Sequence, residues 1–343
     1  MKIVHELNQL EYGGVERVIR NIVKFDSENE HTVIAYKDGP FRKELETVGA
    51  SVIISPLEDA VEFAADVLHI HSGGGVSHMA MSLGDQLPVI ETIHSPIRSP
   101  MPGRVICQRV GVTEAVARMN DCFAILNGID VEASEPTKDP SEVKRELGIP
   151  EGKLVIGRAG RIAPDKCLEE WLLACYYLQR GGLDFVPLVV GGESVNDKRY
   201  LGKLKLMAAS LPVEGVIWAG HRPDVTNYMQ VMDVFLYPSP TEGFGLVYVE
   251  AMLAGSVVVT YKNDVSMEVA GGYSILTEES IQGLVDGVKK ALKQPVRDEI
   301  KGTAPQFVRE HFSAEYMAAE YGDLYKIVAR GATAEKGMEA VTA

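Results

Sequence analysis

The feature that most limits the fold of this chain is a repeated alternation of short apolar runs with amphipathic ones. The apolar runs are rich in Val and Ile and lack strict alternation, which is typical of parallel strands buried on both faces. In the first part of the chain they are Lys2–His5, Thr32–Tyr36, Ser51–Ile54, Val67–His71, Val89–His94 and Phe123–Leu126. Between the first two, Val15–Val23 repeats its apolar residues at helical spacing. This β-α-β order predicts an α/β fold with a doubly wound parallel sheet.

The same alternation restarts after a polar stretch, Ala133–Ser141, which contains prolines and charges but no apolar periodicity. Strands are predicted at Lys153–Arg158, Val186–Val190, Val216–Ala219, Val234–Tyr237 and Val257–Thr260, and helices at Leu168–Gln179, Asp197–Ala209 and Gly245–Ala254. We therefore expect two Rossmann-like domains, residues 1–132 and 149–311, a linker at 133–148, and a site in the cleft between the domains. Residues 312–330 are predicted to be helical, with packing onto the first domain left open, and 331–343 to be a disordered tail.

Length and composition agree with two ordinary globular domains and exclude several functions. The 343 residues suit two domains of ~150 residues each. Lys and Arg number 34 against 48 Asp and Glu, a formal net charge of −14 that argues against nucleic-acid binding. The four cysteines form no CxxC pair and no metal-ligand spacing, which indicates reduced thiols. With no signal-peptide pattern and no apolar run near ~20 residues, we expect a cytoplasmic protein.

Glu250 is the most informative charged residue, because it is the only one between Gly243 and Val259. A carboxylate in so apolar a helix is costly unless it receives hydrogen bonds. The two hydroxyl groups of a ribose supply such donors, as they do for the acidic residue of dinucleotide-binding folds. A surface glutamate is the alternative, and the apolar neighbours make it the weaker interpretation.

Glu242 lies eight residues before Glu250, ahead of the predicted helix. Eight helical residues span ~12 Å, so the two carboxylates do not suit the ~5 Å pair of a retaining glycosidase. They suit the two ends of an extended ligand. The turn Gly243-Phe244-Gly245 leads into a helix N-terminus, which favours an anion. A simple helix-start carboxylate is an equally good interpretation of Glu242 from these residues alone.

A second anion site is predicted in the loop after the first strand of the second domain. Gly160 permits close backbone approach, while Arg161 and Lys166 bring two cations to the start of a helix. Arg binds phosphate in bidentate fashion and Lys acts as a point charge. Surface salt bridges with Asp165 or Glu169 are the alternative.

The first domain offers weaker signals. Tyr12-Gly13-Gly14 opens the first helix, but without a complete GxGxxG pattern a tight turn is the better interpretation. His94 ends a strand, where ligands bind in such sheets, and a structural histidine is an equal alternative. His69 and His71 share one strand face, and packing is favoured over a metal site because no third ligand has a suitable spacing.

Together these motifs resemble the retaining, nucleotide-sugar-dependent glycosyltransferases of family four, which have the GT-B fold of two Rossmann-like domains. The most specific element is EGFGLVYVE, from Glu242 to Glu250, with the E-x7-E spacing of that family. The other matching elements, in chain order, are Tyr12–Arg17, Asn127–Asp130, Gly160-Arg161 with Lys166, Val190–Gly192, Gly220-His221 and Phe312–Tyr325.

The resemblance implies a role for each matched residue. Glu250 would hold the donor ribose, and Glu242 would face the transferred sugar. The diphosphate would be neutralised by Arg161 and Lys166 beside Gly160, with backbone N–H groups at Gly14 and along Gly243, Phe244, Gly245 and Leu246. The base would lie near Gly192 and the His221-Arg222 turn, and His94 would contact the sugar close to the reacting carbon. No metal and no other cofactor is expected, because cations and helix ends supply the positive charge.

The resemblance further implies transfer of a hexose-type sugar from a UDP- or GDP-sugar to a hydroxyl group. The acceptor class stays open among carbohydrate, lipid-linked and small-molecule acceptors, because the segment from His94 to Val112 is short for the family. Peripheral contact with the cytoplasmic face of a membrane also stays open, as does the oligomeric state. Cys167 stands where the family usually has glycine, which puts the local helix start in question.

Two other functions fit parts of the sequence. A GT-B-fold epimerase or phosphorylase does not predict E-x7-E beside Arg161 and Lys166, and a pyridoxal lysine cannot be located. A non-catalytic sugar-nucleotide-binding subunit would keep the diphosphate residues, and nothing in the sequence excludes it.

Overall fold

Two compact units make up the protein, and each contains one parallel sheet. The structure is a computed structural model that describes residues 1–55, 64–72, 74–193 and 199–342, with the backbone alone for Ser72 and residues 332–342. The first unit comprises Met1–Asp130 and Phe312–Ala343, and the second comprises Val131–His311. The prediction of two Rossmann-like α/β domains is confirmed.

The first unit contains a sheet of seven parallel strands. These are β1 (Lys2–Gln9), β2 (Glu30–Lys37), β3 (Ser51–Ile54), β4 (Val67–Ser72), β5 (Val89–Ile93), β6 (Gln108–Gly111) and β7 (Phe123–Ala124), and the helices are α1 (Gly14–Phe25), α2 (Arg42–Thr47), α3 (His78–Leu83) and α4 (Glu114–Met119). The strand order is β3-β2-β1-β4-β5-β6-β7, so the winding direction reverses between β1 and β4. Helix α1 forms because its apolar residues recur on one face, and Val18, Ile19 and Ile22 of that face are fully buried.

The second unit repeats this design with six parallel strands. Its helices are α5 (Val131–Ser134), α6 (Pro140–Glu146), α7 (Leu168–Arg180), α8 (Tyr200–Ser210), α9 (Val225–Met229), α10 (Leu246–Leu253), α11 (Asp264–Ala270), α12 (Ile281–Ala291) and α13 (Gln294–His311). Its strands are β8 (Leu154–Ala159), β9 (Phe185–Val190), β10 (Ile217–Gly220), β11 (Val234–Tyr237), β12 (Val257–Tyr261) and β13 (Ile275–Thr277). The order β10-β9-β8-β11-β12-β13 reverses between β8 and β11. Ligands of such sheets bind beyond the carboxyl ends of the strands at this reversal.

The last helix, α14 (Ala314–Thr342), belongs to the first unit. It is tied to the end of that unit by two backbone hydrogen bonds, from Ile129 N–H to the Phe312 carbonyl at 2.8 Å and from Ala314 N–H to the Ile129 carbonyl at 2.9 Å. The side chains of Tyr321 and Tyr325 in α14 are completely buried. None of the described helices is long and apolar enough to cross a membrane.

Several segments differ from the sequence prediction. The predicted linker at 133–148 contains α6, because Asp139 caps the helix by accepting a hydrogen bond from Ser141 N–H at 2.8 Å and Pro140 occupies the first turn, where proline is favourable. The tail predicted from residue 331 continues α14 to Thr342, and this segment includes Ala, Glu, Lys and Met, which favour helix. Strands β6 and β13 were not predicted, and Asp197, the predicted start of a helix, lies outside the described residues.

Candidate functional site

The loops that follow β8 and β11 carry three of the charged residues singled out in the second unit, Arg161, Lys166 and Glu242. Strands β8 and β11 are hydrogen-bonded neighbours, with Ile156 opposite Val234 and Gly157 opposite Phe235. Parallel strands end at the same edge of a sheet, so the loop after β8, with Arg161 and Lys166, adjoins the loop after β11, with Glu242. The sheet topology therefore brings two sequence-distant motifs together at the reversal point of this unit.

Glu242 is held between a cation and a hydroxyl group. Its Oε1 accepts a hydrogen bond from Lys166 Nζ at 2.9 Å and another from Ser239 Oγ at 2.9 Å. The side chain of Glu242 is 13% exposed and that of Lys166 is 19% exposed, so this pair is partly shielded from water. Hydrogen bonds between charged groups are stronger than those between neutral groups, and the bond from Lys166 fixes the Glu242 carboxylate in a defined position.

Arg161 is arranged differently from Lys166. Its Nη2 lies 3.3 Å from Asp165 Oδ2, and both side chains are exposed, at 42% and 55%. An ion pair so open to solvent contributes little to stability. The surface salt bridge that the sequence suggested as an alternative is therefore present, and it leaves the guanidinium at the surface, where an anion could compete for it.

Cys167 has the backbone conformation that glycine normally supplies. It directly follows the short 3₁₀ turn Pro164–Lys166 and precedes α7, with φ +46° and ψ +47°. This left-handed region is strained for any residue with a Cβ atom. Cys167 thus keeps the turn at the start of α7, although the family that the sequence resembles usually has glycine at this position.

We expect Cys167→Gly to raise the free energy of unfolding by about 0.5–1 kcal/mol, because relief of the left-handed strain exceeds the extra backbone entropy of glycine. Urea denaturation measures the change. Cys167→Ala is the matched control, since it removes the thiol but keeps the Cβ atom, and it should give no gain. An equal gain from both substitutions would assign the effect to the thiol and contradict the prediction.

Glycines line the carboxyl ends of β8, β9 and β10. Gly160 N–H donates to the Val190 carbonyl at 3.0 Å, Gly191 N–H donates to the Gly220 carbonyl at 2.8 Å, and Ile162 N–H donates to the Gly192 carbonyl at 2.9 Å. Gly160, Gly191 and Gly220 have positive φ, at +130°, +150° and +75°. A Cβ atom at Gly191 would overlap the Gly160 carbonyl oxygen. These loops are joined by backbone hydrogen bonds, and we call Gly160, Gly191 and Gly192, which contribute no side chains, the glycine floor.

The turn Gly243-Phe244-Gly245 comes before α10, as predicted. Gly245 adopts φ +83° at the N-cap, and a side chain there would collide with the ring of Tyr248. Phe244 and Leu246 are 3% and 9% exposed, so this helix start is packed into the unit. The first N–H groups of a helix lack intrahelical acceptors, which makes this end suitable for an anion.

Glu250 lies in α10 and is 1% exposed. The Glu250 carboxylate is thus buried, in agreement with the apolar surroundings that the sequence predicts for it. Its role toward a ribose stays a prediction.

The His221-Arg222 turn has other partners for its arginine. Arg222 Nη1 lies 2.9 Å from Glu146 Oε1, its Nε donates to the Ala219 carbonyl at 3.1 Å, and the guanidinium stacks on the Tyr228 ring at 4.9 Å. His221 is exposed, and a Cβ atom at Gly192 would lie 3.4 Å from the His221 Cβ. His221 and Gly192 are therefore neighbours at this edge of the sheet. The contacts of Arg222 stabilise the turn.

Sequence reasoning missed Arg158, the largest charged side chain in the core of the second unit. It is fully buried, its Nη1 donates to the Lys166 carbonyl at 3.0 Å, and its guanidinium lies 5.1 Å from the centre of the Tyr237 ring. Within the described part of the chain, its Nε and Nη2 have no hydrogen-bond partner. Burial lowers the pKa of Arg158. A charged residue inside the apolar run Lys153–Arg158 was the available signal.

In the first unit, the structure gives Gly14 and His94 different surroundings. Gly14 begins α1 and is exposed, and the buried Glu16 carboxylate lies over this first turn, against Gly13. The Glu16 carboxylate already lies near the positive end of the helix dipole. It would therefore compete with a phosphate for the backbone N–H of Gly14, which is the contact predicted for this residue. His94 follows β5, and its Nε2 lies 3.0 Å from His71 Nδ1.

Comparison with known proteins agrees with this arrangement. Residues 139–306 match the model of the family described as glycosyl transferases group 1. The crystal structure of Anabaena HepE in complex with UDP and glucose has a TM-score of 0.81 at 20% identity and covers 95% of this chain and 99% of that chain. At such an identity the likeness concerns the fold, which is the GT-B class. Residues 139–306 of the second unit are therefore similar to the glycosyl transferases group 1 family.

Curated relatives match over part of their length. The lipopolysaccharide core biosynthesis mannosyltransferase LpsB of Rhizobium meliloti (strain 1021) is 27% identical over 168 residues, covering 47% of this chain and 48% of the relative. The lipopolysaccharide 1,2-N-acetylglucosaminetransferase of Salmonella typhimurium is 27% identical over 194 residues, covering 54% of this chain and 51% of the relative. The chain spans about half the length of the curated relatives it matches.

Proposed function

We propose that this protein is a retaining glycosyltransferase that moves a hexose-type sugar from a UDP- or GDP-sugar to a hydroxyl acceptor without a metal ion. The observation that carries the proposal is the pairing of Lys166 with Glu242 at the sheet reversal of the second unit, beside the exposed Arg161. The family match covers this same segment. Two of the relatives are named for different sugars, mannose and N-acetylglucosamine, so the donor sugar is left unassigned.

In this proposal the diphosphate lies over the glycine floor at Gly160 and Gly192. Arg161 exchanges its solvent-exposed contact with Asp165 for a bidentate contact with phosphate oxygens, which costs little because the surface pair is weak. Lys166 and the start of α10 at Gly243–Leu246 supply further positive charge. These groups would perform the charge neutralisation that a divalent ion provides in other transferases.

The transfer step breaks the bond between the anomeric carbon and the diphosphate oxygen and forms a bond from that carbon to the acceptor oxygen on the same face. The acceptor proton passes to the departing diphosphate. Positive charge develops at the anomeric carbon, and Glu242 stabilises it from a position fixed by Lys166 and Ser239. Glu250 accepts hydrogen bonds from the ribose hydroxyls, and His221 lies near the nucleotide base.

Calorimetric titration with UDP and GDP tests the binding half of this proposal. We expect Arg161→Ala to weaken nucleotide affinity by about 10–150-fold, equivalent to ~1.5–3 kcal/mol, because a charge-assisted contact with phosphate is lost. Arg180→Ala is the matched control, since Arg180 is an exposed arginine of the same unit whose Nη1 contacts the Tyr176 hydroxyl. Unchanged affinity in Arg161→Ala would contradict the role of this residue.

Two further measurements separate the proposal from its alternatives. Equal nucleotide affinity in EDTA and in Mg²⁺ is expected, and affinity that requires Mg²⁺ would contradict metal independence. Incubation with a UDP- or GDP-sugar should release nucleotide and transfer the sugar. Binding with no turnover across an acceptor panel would favour a non-catalytic sugar-nucleotide-binding subunit, and conversion to an isomeric nucleotide sugar would favour an epimerase.

A further inference from the structure

One face of the first sheet carries a row of histidines that ends at His94. His31 lies on β2, His5 on β1, His69 and His71 on β4, and His94 directly after β5. His5 is paired with His69 in the strand register, and His71 is paired with Thr92, two residues before His94. Because side chains alternate along a strand, this register puts the imidazoles on the same face.

Four of these imidazoles form a continuous line. His31 Nδ1 lies 3.0 Å from His5 Nε2, His5 Nδ1 lies 3.0 Å from His71 Nε2, and His71 Nδ1 lies 3.0 Å from His94 Nε2. At the far end, His31 Nε2 lies 3.3 Å from Asp26 Oδ2. The line therefore runs from a carboxylate through three inner rings to the ring at the carboxyl end of β5.

The carboxylate determines which nitrogen of every ring carries the proton. A neutral imidazole has one N–H donor and one acceptor nitrogen. Because ionised Asp26 only accepts and its Oδ2 lies 3.3 Å from His31 Nε2, a neutral His31 interacts with it by carrying its proton on Nε2, and its Nδ1 must then accept from His5. The same step repeats along the line, so His5, His71 and His94 each carry their proton on Nε2 and leave Nδ1 as the acceptor.

The charge states that this argument requires of His5, His71, His94 and Asp26 agree with the surroundings of these four groups. Burial lowers the pKa of His5 and His71 well below the ordinary value and that of His94 to about 3, so these three rings are neutral. Burial acts to raise the pKa of Asp26, but hydrogen bonds from His31 and Asn29 outweigh it, and the net pKa is lowered. Asp26 is therefore an ionised acceptor.

The other titratable side chains that pack on the line do not interrupt it. The His69 ring centroid lies 4.1 Å from that of His71, yet its own nitrogens are engaged by the Tyr325 hydroxyl at 2.8 Å and by Thr92 Oγ1 at 2.7 Å. Tyr321 from α14 reaches the same Thr92 Oγ1 at 3.0 Å.

The imidazole contacts also argue against a metal ion. His5, His69 and His71 are close enough together to be considered as ligands, but in the described part of the chain both nitrogens of each ring already have protein partners. A metal would have to displace these hydrogen bonds in the interior of the unit. The hydrogen-bonded line explains the cluster without such a loss.

We propose that Asp26, acting through His31, His5 and His71, is a positioning residue that fixes His94 in its Nε2–H tautomer and so presents His94 Nδ1 as a hydrogen-bond acceptor. His94 is partly exposed, and in the described chain its one hydrogen-bond contact is with His71. The complementary ligand group is a hydroxyl or N–H donor. That this donor is a hydroxyl of a transferred sugar rests on the proposed function.

The test is long-range ¹H–¹⁵N correlation NMR of the full chain, labelled uniformly with ¹³C and ¹⁵N so that the eight histidines are assigned through their backbone correlations. In the wild-type protein we expect His31, His5, His71 and His94 all to show a protonated Nε2 and an unprotonated Nδ1. A protonated Nδ1 in any of the four overturns the proposal. Because this spectrum needs no variant in the line, the test does not depend on the folding of one.

A matched pair of variants tests the role of the carboxylate. Asp26→Ala removes the terminal acceptor, and we expect His94 to shift from one tautomer to a mixture of both. Asn29→Ala removes the amide that donates to Asp26 Oδ2 at 2.7 Å but keeps the carboxylate, and should leave the His94 tautomer unchanged. A single unchanged tautomer of His94 in Asp26→Ala overturns the role of Asp26.

These readouts are independent of turnover. If the tautomer pattern is found but no sugar is transferred, the hydrogen-bonded line stands and the proposed function fails. If transfer is found while His94 Nδ1 is protonated, the proposed function stands and the positioning role fails.

Discussion

Glu242→Gln is expected to lower the rate of sugar transfer by about 10²–10³-fold while leaving nucleotide affinity nearly unchanged. Glutamine has almost the same shape and can still accept the hydrogen bond from Ser239 Oγ, which lies 2.9 Å from Glu242 Oε1. The negative charge that would face the anomeric carbon is lost. A charge that stabilises only the transition state affects turnover and not ground-state binding.

The measurement is single-turnover transfer with each candidate donor, together with calorimetric titration of the nucleotide. Glu214→Gln is a suitable control, because Glu214 is an exposed glutamate of the same unit. Transfer at the wild-type rate in Glu242→Gln would remove this residue from the mechanism. A large loss of nucleotide affinity would instead indicate that Glu242 organises the binding site through Lys166.

The two-sheet fold was predictable because buried parallel strands have a simple sequence pattern. Ser51–Ile54 and Val234–Tyr237 were predicted with the bounds that the structure gives, and the bounds of the other predicted strands differ by a few residues. Strand β6 escaped because its sequence contains Gln108 and Arg109, and Arg109 Nε pairs with the buried Glu91 at 2.9 Å. Long-range ion pairs of this kind make a polar run suitable for a sheet, and local sequence patterns do not reveal them.

The motifs of the candidate site were readable, but their partners were not. Glu242 and Lys166 were each singled out, whereas their contact at 2.9 Å depends on the order of the strands in the sheet. Arg158 was overlooked because a strand pattern shows only that a position is apolar or polar, and gives no sign of the Lys166 carbonyl that Arg158 reaches.

The histidine line shows the same limit from another direction. The sequence favours packing over a metal site for the pair His69 and His71, and it gives His94 a structural role as an equal alternative. Their link to Asp26 crosses four strands or strand ends that lie far apart in the sequence. Such a cooperative network exists only after the strand register is known, since a shift of one residue would turn the rings to the opposite face.

Lys166→Met is expected to weaken nucleotide binding by about 10–150-fold, which corresponds to ~1.5–3 kcal/mol. Methionine keeps much of the apolar stem but removes the charge that lies 2.9 Å from Glu242 Oε1. Two causes could produce this loss. Lys166 either binds the diphosphate itself, or it only neutralises Glu242, whose unpaired charge would then repel the nucleotide.

A double-mutant cycle with Glu242→Gln separates these causes, because the two residues are in contact and are expected to couple. If Lys166 binds phosphate directly, Lys166→Met should weaken affinity by a similar factor in the wild-type and Glu242→Gln backgrounds. Lys205→Met, at an exposed lysine of α8, should have no effect in either background. Recovery of wild-type affinity in the Lys166→Met, Glu242→Gln double variant would show that Lys166 acts through Glu242 alone, and the diphosphate contact would then fall to Arg161 and the start of α10.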